Sequence, residues 1–165
     1  YYKDLSHLEF SEREKNNFDH PSSFEFELLY NQLLNLNHNK RIEVPKYNYK
    51  THTRMKSYNI IDKEYSLIIV EGILSLYHSN IRNMMCCNVF IDTYNNLRKE
   101  RRIKRDLKKR DRTLNSILNQ YSNTVEPMYK KFIEPTKKYA DIIINECNDN
   151  DEGYNLLLNK IRCLL

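Results

Sequence analysis

The chain has 165 residues, 40% of them hydrophobic and 30% charged, with a net charge of +5. That length suits one domain with one core, and the balance is that of a soluble globular protein with no apolar run near the roughly 18 residues a membrane span needs. The positive excess is local: between Arg98 and Arg112 ten Lys/Arg face Glu100, Asp106 and Asp111, which leaves −2 elsewhere, so an anionic partner at one place is expected rather than a generally adhesive basic surface.

Residues 1–17 are polar and irregular. Their opening has no basic n-region or apolar h-region, so no signal peptide is read there, and a start without Met reads as a piece of something longer. Asp19-His20-Pro21-Ser22-Ser23 predicts a helix start capped by Ser22 or Ser23. Phe24, Leu28, Leu29, Leu33 and Leu36 follow at helical spacing, and Asn37-His38-Asn39 closes the segment. Arg41 to Val44 reads as a short strand stopped by Pro45, and 46–54 as an aromatic, polar loop.

Leu67-Ile68-Ile69-Val70 suits a strand buried on both faces, with Glu71-Gly72 at its end and a helical stretch to about Met85. Val89-Phe90-Ile91 is the next buried strand, ending at Asp92-Thr93. A charged helix is expected from about Asn95 to Lys109, then helical stretches at Leu114–Tyr121 and Val125–Ile133. Ile142-Ile143-Ile144 is a third strand, and Tyr154–Leu165 a closing amphipathic helix. This rhythm is that of an α/β doubly wound fold with a parallel sheet and helices on both faces. Ligands in such folds bind at the carboxyl ends of the strands, where Glu71 and Asp92 fall.

Cys86, Cys87, Cys147 and Cys163 form no C-x-x-C pair and read as reduced cysteines of a cytosolic protein. Gly72 and Gly153 are the only glycines, too few for a loop of the form G-x-x-x-x-G-K-[ST]. If the protein uses ATP, that loop lies outside these residues.

Several segments, in order, carry a resemblance. They are Tyr1-Tyr2-Lys3-Asp4, Asn17-Phe18-Asp19-His20-Pro21, Pro45-x-Tyr47 through Thr51-His52-Thr53-Arg54, and Val70-Glu71-Gly72-Ile73-Leu74. Arg101-Arg102-Ile103-Lys104-Arg105-Asp106, Asn119-Gln120-Tyr121 and Glu134-Pro135-Thr136-Lys137-Lys138-Tyr139-Ala140-Asp141 complete the set. From Tyr1 to about Leu165 the chain resembles the uridine (uridine–cytidine) kinase family of P-loop kinases. The resemblance implies a single kinase domain over 1–165, with its first strand and P-loop outside these residues, and a helical lid at about 101–120. It also implies transfer of the ATP (or GTP) γ-phosphoryl group to the 5′-hydroxyl of uridine or cytidine, with Mg²⁺, in cytoplasmic pyrimidine salvage. A homotetramer is expected, with no nucleic-acid or membrane partner. This segment alone is expected to be inactive and the longer protein active.

Phosphoryl transfer needs in-line positioning, Mg²⁺ and positive charge more than covalent help. Glu71 is a hard carboxylate suited to Mg²⁺, or else a helix-start acid. By local sequence Asp19 reads as a cap; by resemblance it accepts from the ribose hydroxyls. Tyr2, Phe18 and Tyr47 are candidates to wall a planar base, or else to pack a core. His52 offers a donor and an acceptor to the base edge. Arg102 and Arg105, three apart, share a helix face. By resemblance Arg102 reaches the ribose side, Arg105 the phosphates, Arg112 the base and Gln120 the ribose, and Arg102 and Arg105 are the catalytic pair. Guanidinium forks suit such oxygens, whereas the other basic residues read as a solvated face.

This sequence departs from the family pattern at three places. The general-base Asp that the resemblance places two residues before Tyr1 lies outside these residues, and Asp4 does not take its role. Asp111 stands where a Gly usually precedes the base-reading Arg, which stiffens the lid or lowers its charge. Asn145-Glu146-Cys147-Asn148 replaces a Pro and Gly pair near the adenine. Rival readings are a basic nucleic-acid-binding module, whose binding weakens steeply with salt, an inactive homologue serving as a regulatory or scaffold subunit, and a sister kinase acting on pantothenate or ribulose phosphate.

Overall fold

A computed structural model describes residues 1–110, 112–145 and 152–165. The chain divides into two compact units, Tyr1–Tyr65 and Ser66–Leu165.

The first unit begins extended. Tyr2 pairs antiparallel with Phe24, flanked by Lys3 N–H to Ser23 O at 2.8 Å and Glu25 N–H to Tyr1 O at 2.9 Å. One helical turn follows, α1 (Phe10–Arg13). Pro21–Ser23 forms a 3₁₀ turn whose cap is the His20 ring, accepting from Ser22 N–H at 3.1 Å. The predicted Ser cap is therefore displaced. The Ser23 hydroxyl instead donates to Asn17 O at 2.7 Å and accepts from Asn16 Nδ2 at 3.1 Å, and α2 starts later, spanning Phe26–Asn37. It ends where Asn39 turns left-handed (φ 54°) and Lys40 N–H reaches back to Asn35 O at 2.8 Å.

The loop expected at 46–54 is mostly sheet. Strand β1 (Ile42–Asn48) runs through Pro45 and pairs antiparallel with β2 (Thr53–Ile61), a strand the sequence pattern did not suggest. Pro45 is tolerated because the register shifts between it and Tyr47, next to the missing N–H. Asn48 Oδ1 accepts from Lys50 N–H at 2.9 Å and turns the chain. His52 closes the turn at φ 51°, a left-handed backbone uncommon for any residue but Gly or Asn. Leu33, Ile42 and Pro21 are buried in this unit. Gln32 ties α2 to the start of the unit and to β1: it accepts from the Tyr1 hydroxyl at 2.6 Å and donates to Glu43 O at 2.9 Å.

In the second unit α3 (Ser79–Met84) precedes β3 (Val89–Asp92); β3 and β4 (Ile142–Asn145) are both strands as predicted, and they pair in parallel, Val89 opposite Ile142 through Asp92 opposite Asn145. The crossover is helical: α4 (Asn95–Lys109), α5 (Leu114–Gln120), wider π turns at Tyr121–Val125 and Tyr129–Ile133 around α6 (Glu126–Met128), then a 3₁₀ turn at Glu134–Tyr139. Helix α7 (Glu152–Leu164) closes the chain. Leu74, Leu76, Ile81, Phe90, Ile117, Tyr121 and Ile144 form the buried core. Parallel strands joined through helices are the α/β arrangement expected.

Leu67–Val70 is not a strand. It joins no ladder among the described residues, and Ile69 is 76% exposed. A strand exists by pairing, and apolar β-branched character supplies no partner. The helix expected up to Met85 begins only at Ser79. Asp111 and the 146–148 segment, where the departures in the lid and near the adenine were noted, lie outside the described residues.

Candidate active site

In the first unit the predicted aromatic residues cluster. Tyr2 sits with its ring centroid 5.5 Å from Phe18, edge-on, and 5.0 Å from Tyr47. Phe18 stacks on His52 at 4.8 Å and 17°, and Phe10 stacks on the same imidazole at 6.0 Å and 22°. Phe10 and Tyr49, which contacts Tyr47 at 5.3 Å, were not singled out in the sequence, because an aromatic in a polar stretch carries no periodic signal.

The left-handed backbone at His52 directs the hairpin turn, and hydrogen bonds hold it. Arg13 donates to Thr51 O at 3.2 Å, and the Thr53 hydroxyl donates to Asp4 Oδ1 at 3.0 Å. Burial pushes the Asp4 carboxyl up, but the Ser6 hydroxyl and N–H and the Thr53 hydroxyl outweigh it and hold it below the ordinary carboxylate value. Asp19 follows Phe18 and is buried, with its backbone N–H on Asn17 Oδ1 at 3.1 Å. It does not cap the 3₁₀ turn, since the His20 ring does.

The Tyr47 hydroxyl is buried with no hydrogen-bond partner among the described residues. Burial, then its Tyr2 and Tyr49 neighbours, push its phenol well above the usual range. It therefore stays a neutral donor, matched to an acceptor on a ligand.

In the second unit Arg102, Arg112 and Gln120 come together. Arg102 Nη2 donates to Gln120 Oε1 at 3.3 Å, and Arg112 Nη1 donates to the same oxygen. Arg112 is anchored further by the Ser116 hydroxyl at 2.7 Å. Thr113 caps α5 by accepting from Ser116 N–H. Arg105 lies on α4 with Arg102, and both reach Asp106. Arg105 Nε donates to Asp106 Oδ1 at 2.8 Å, while Arg102 Nε stands 3.6 Å from Oδ2. Asp106 entered the sequence reading only as one of three acids in the basic run and as the end of the Arg101–Asp106 motif, and neither singles it out.

Glu71 follows the unpaired Leu67–Val70 segment, so its expected seat at a strand end is not found. It is exposed. Asp92 does end β3, but it is paired with Lys137. Among the described residues no three His, Cys, Asp or Glu side chains form a metal cluster. A cavity of about 400 Å³ lies beside the start of α4, lined by Asp92, Arg98, Glu126, Tyr129 and others. Asp92, at the carboxyl end of β3, lines it, whereas none of the residues assigned to nucleoside, phosphate or metal does. Arg98 there stacks 3.6 Å over Tyr129 and donates to Thr93 O at 2.7 Å, bracing the helix. Cys86, Cys87 and Cys163 are free thiols, Cys147 lying outside the described residues, and no described helix is long and apolar enough to cross a membrane.

Residues 1–152 match the model of the phosphoribulokinase / uridine kinase family. The chain is 47% identical over its whole length to a uridine kinase of Staphylococcus epidermidis, covering 79% of that protein. It is 46% identical to the uridine kinase of Macrococcus caseolyticus and 44% identical to that of Lactococcus lactis subsp. lactis, in each case over the whole chain and 80% of the relative. The P-loop kinase fold class read from the sequence is that of these relatives. With an aromatic cluster in one unit and an arginine network in the other, the chain belongs to the phosphoribulokinase / uridine kinase family and is a kinase.

Proposed function

We propose that this protein is a pyrimidine-nucleoside kinase that moves the γ-phosphoryl group of ATP, or of GTP, to the 5′-hydroxyl of uridine or cytidine, giving UMP or CMP. The observation that carries the reading is the Tyr47 hydroxyl, buried among aromatic rings without a hydrogen-bond partner among the described residues. Such a group costs about 1–3 kcal/mol unless a ligand completes it. A pyrimidine base supplies a flat face for Tyr2, Phe18 and Tyr47 and a carbonyl acceptor at its rim. The relatives named uridine kinase support the same substrate class.

His52 is assigned to the base edge and Asp19, acceptor-only when ionised, to the ribose diol. Gln120 is assigned to the ribose and Arg112 to the base, while Arg102 serves the ribose side and Arg105 the phosphates. Arg102 and Arg105 stabilise charge that develops on the migrating phosphoryl group, because a guanidinium fork matches two phosphate oxygens.

Mg²⁺ takes one or two carboxylates and completes its shell with phosphates and waters. Glu71, exposed and without an ion pair among the described residues, fits that role without a three-ligand cluster. When bound, Mg²⁺ neutralises charge on the polyphosphate. The reading takes 1–165 as one kinase domain with a lid at about 101–120. It places the protein in cytoplasmic pyrimidine salvage as a homotetramer, with no membrane or nucleic-acid partner.

Equilibrium binding of the full-length protein to uridine, cytidine, pantothenate and a short RNA tests this, with and without Mg-ATP. Saturable binding of uridine and cytidine alone is expected. RNA binding that weakens steeply with salt and that uridine does not displace would contradict it.

A further inference from the structure

Asp106 has a completely buried side chain, 0% exposed, in the last turn of α4. That is a poor place for a lone carboxylate: it loses hydration, and it faces the negative end of the helix dipole. Three guanidinium groups surround it. Arg105 Nε donates to Oδ1 at 2.8 Å, Arg110 Nε stands 3.6 Å from the same oxygen, and Arg102 Nε stands 3.6 Å from Oδ2. Arg102, Asp106 and Arg110 fall at i, i+4 and i+8, one row of the helix. The Arg110 N–H also closes the helix on Asp106 O at 3.2 Å.

One buried pair would need a single arginine. Here one negative charge is shared by three positive ones, so the cluster keeps a cationic excess. Arg105 is held at Nε while its side chain stays 44% exposed, which leaves the outer fork toward solvent. Arg102 passes the constraint on to Gln120 Oε1, and through that oxygen to Arg112. Without a central anion, like charges this close would repel and swing apart.

We infer that Asp106 is a positioning residue for phosphoryl transfer: its carboxylate holds Arg102, Arg105 and Arg110 as one fixed array before any polyphosphate arrives. The inference rests on the nucleoside-kinase reading. Preorganised charge stabilises a transition state because it needs no rearrangement at the moment of reaction, and small misplacement of such groups is costly. The step assigned to Asp106 is orientation only; it touches no reacting atom.

The test compares the wild-type full-length protein with Asp106→Asn, which keeps size and one acceptor but removes the charge. With uridine and Mg-ATP, kcat is expected to fall roughly tenfold to a hundredfold and KM for ATP to rise, with far-UV circular dichroism retained. A purely stabilising Asp106 would lower the melting temperature and leave kcat per folded molecule and both KM values unchanged; that result overturns the inference alone. A wild type that phosphorylates neither nucleoside overturns the nucleoside-kinase reading, and the inference with it. If Asp106→Asn does not fold, ¹⁵Nε spectra of the wild type without nucleotide decide: rigid, resolved Nε–H signals for Arg102 and Arg105 are expected, and averaged, mobile ones contradict the inference.

Discussion

Arg102 and Arg112, ten positions apart, meet on one atom: both donate to the amide oxygen of Gln120. Gln120 is the last residue of α5, so a short helix end joins the charged helix to the residue that the family resemblance assigns to the base. A neutral amide oxygen between two cations accepts from both without cancelling either charge.

Replacing Gln120 with Ala removes that shared acceptor. Hydrogen bonds to charged groups are worth about 1.5–3 kcal/mol, which corresponds to roughly tenfold or more in affinity. Gln120→Ala is expected to raise KM for uridine by about that factor, with little change in melting temperature, because Ile117 and Tyr121 still bury this stretch. Steady-state kinetics at saturating ATP checks it.

Tyr47→Phe separates stability from binding. Removing a buried hydroxyl that has no partner among the described residues relieves a desolvation cost, so the urea midpoint should stay level or rise, by up to about 1 kcal/mol of stability. Uridine affinity should fall by about tenfold, because the orphan donor is the ligand's contact. A variant both less stable and unchanged in uridine binding would contradict the assignment.

At His52 the backbone and the ring make different demands. The left-handed φ of 51° costs a residue with a Cβ about 1–2 kcal/mol relative to glycine. His52→Gly is therefore expected to be more stable than His52→Ala by about 1 kcal/mol, whereas both lose the stack with Phe18 and both bind uridine more weakly. Denaturant melts paired with binding titrations read the two effects separately.

Asp4 sets a pH dependence. Its folded carboxyl titrates below its unfolded value of 3.8, so its hydrogen bonds to Ser6 and Thr53 contribute stability that is present above that value and lost as pH falls through the lower folded one. The stability difference between wild type and Asp4→Asn should shrink as the pH drops below 3.8. An NMR titration of the Asp4 side-chain carbon with a midpoint at or above that value would contradict this.

Long charged helices and short β-branched strands were more legible in the sequence than the hairpin. The charged helix Asn95–Lys109 and the β3–β4 pair stood out because a run of charge and two short β-branched runs each match one period. β2 was hidden because Thr53–Ile61 mixes polar and apolar residues on a hairpin with much of its surface open, and Pro45 masked β1, since the register shift that accommodates it is a property of the pair rather than of either strand. Leu67–Val70 misled in the other direction, because its composition says strand while ladder pairing depends on residues elsewhere in the chain. Among site residues, Tyr2, Phe18, Tyr47 and His52 lie together in the first unit. Asp106 stayed hidden because which acid of a basic helix becomes buried depends on tertiary packing that no local pattern records.

The most direct measurement of the central claim is product identity. The full-length protein is incubated with uridine, Mg²⁺ and ATP labelled in the γ-phosphoryl group, and the label is followed. Label is expected in uridine 5′-monophosphate, in amounts that track uridine and vanish when Mg²⁺ is chelated. Label released only as inorganic phosphate, or none transferred by a folded protein, would contradict it.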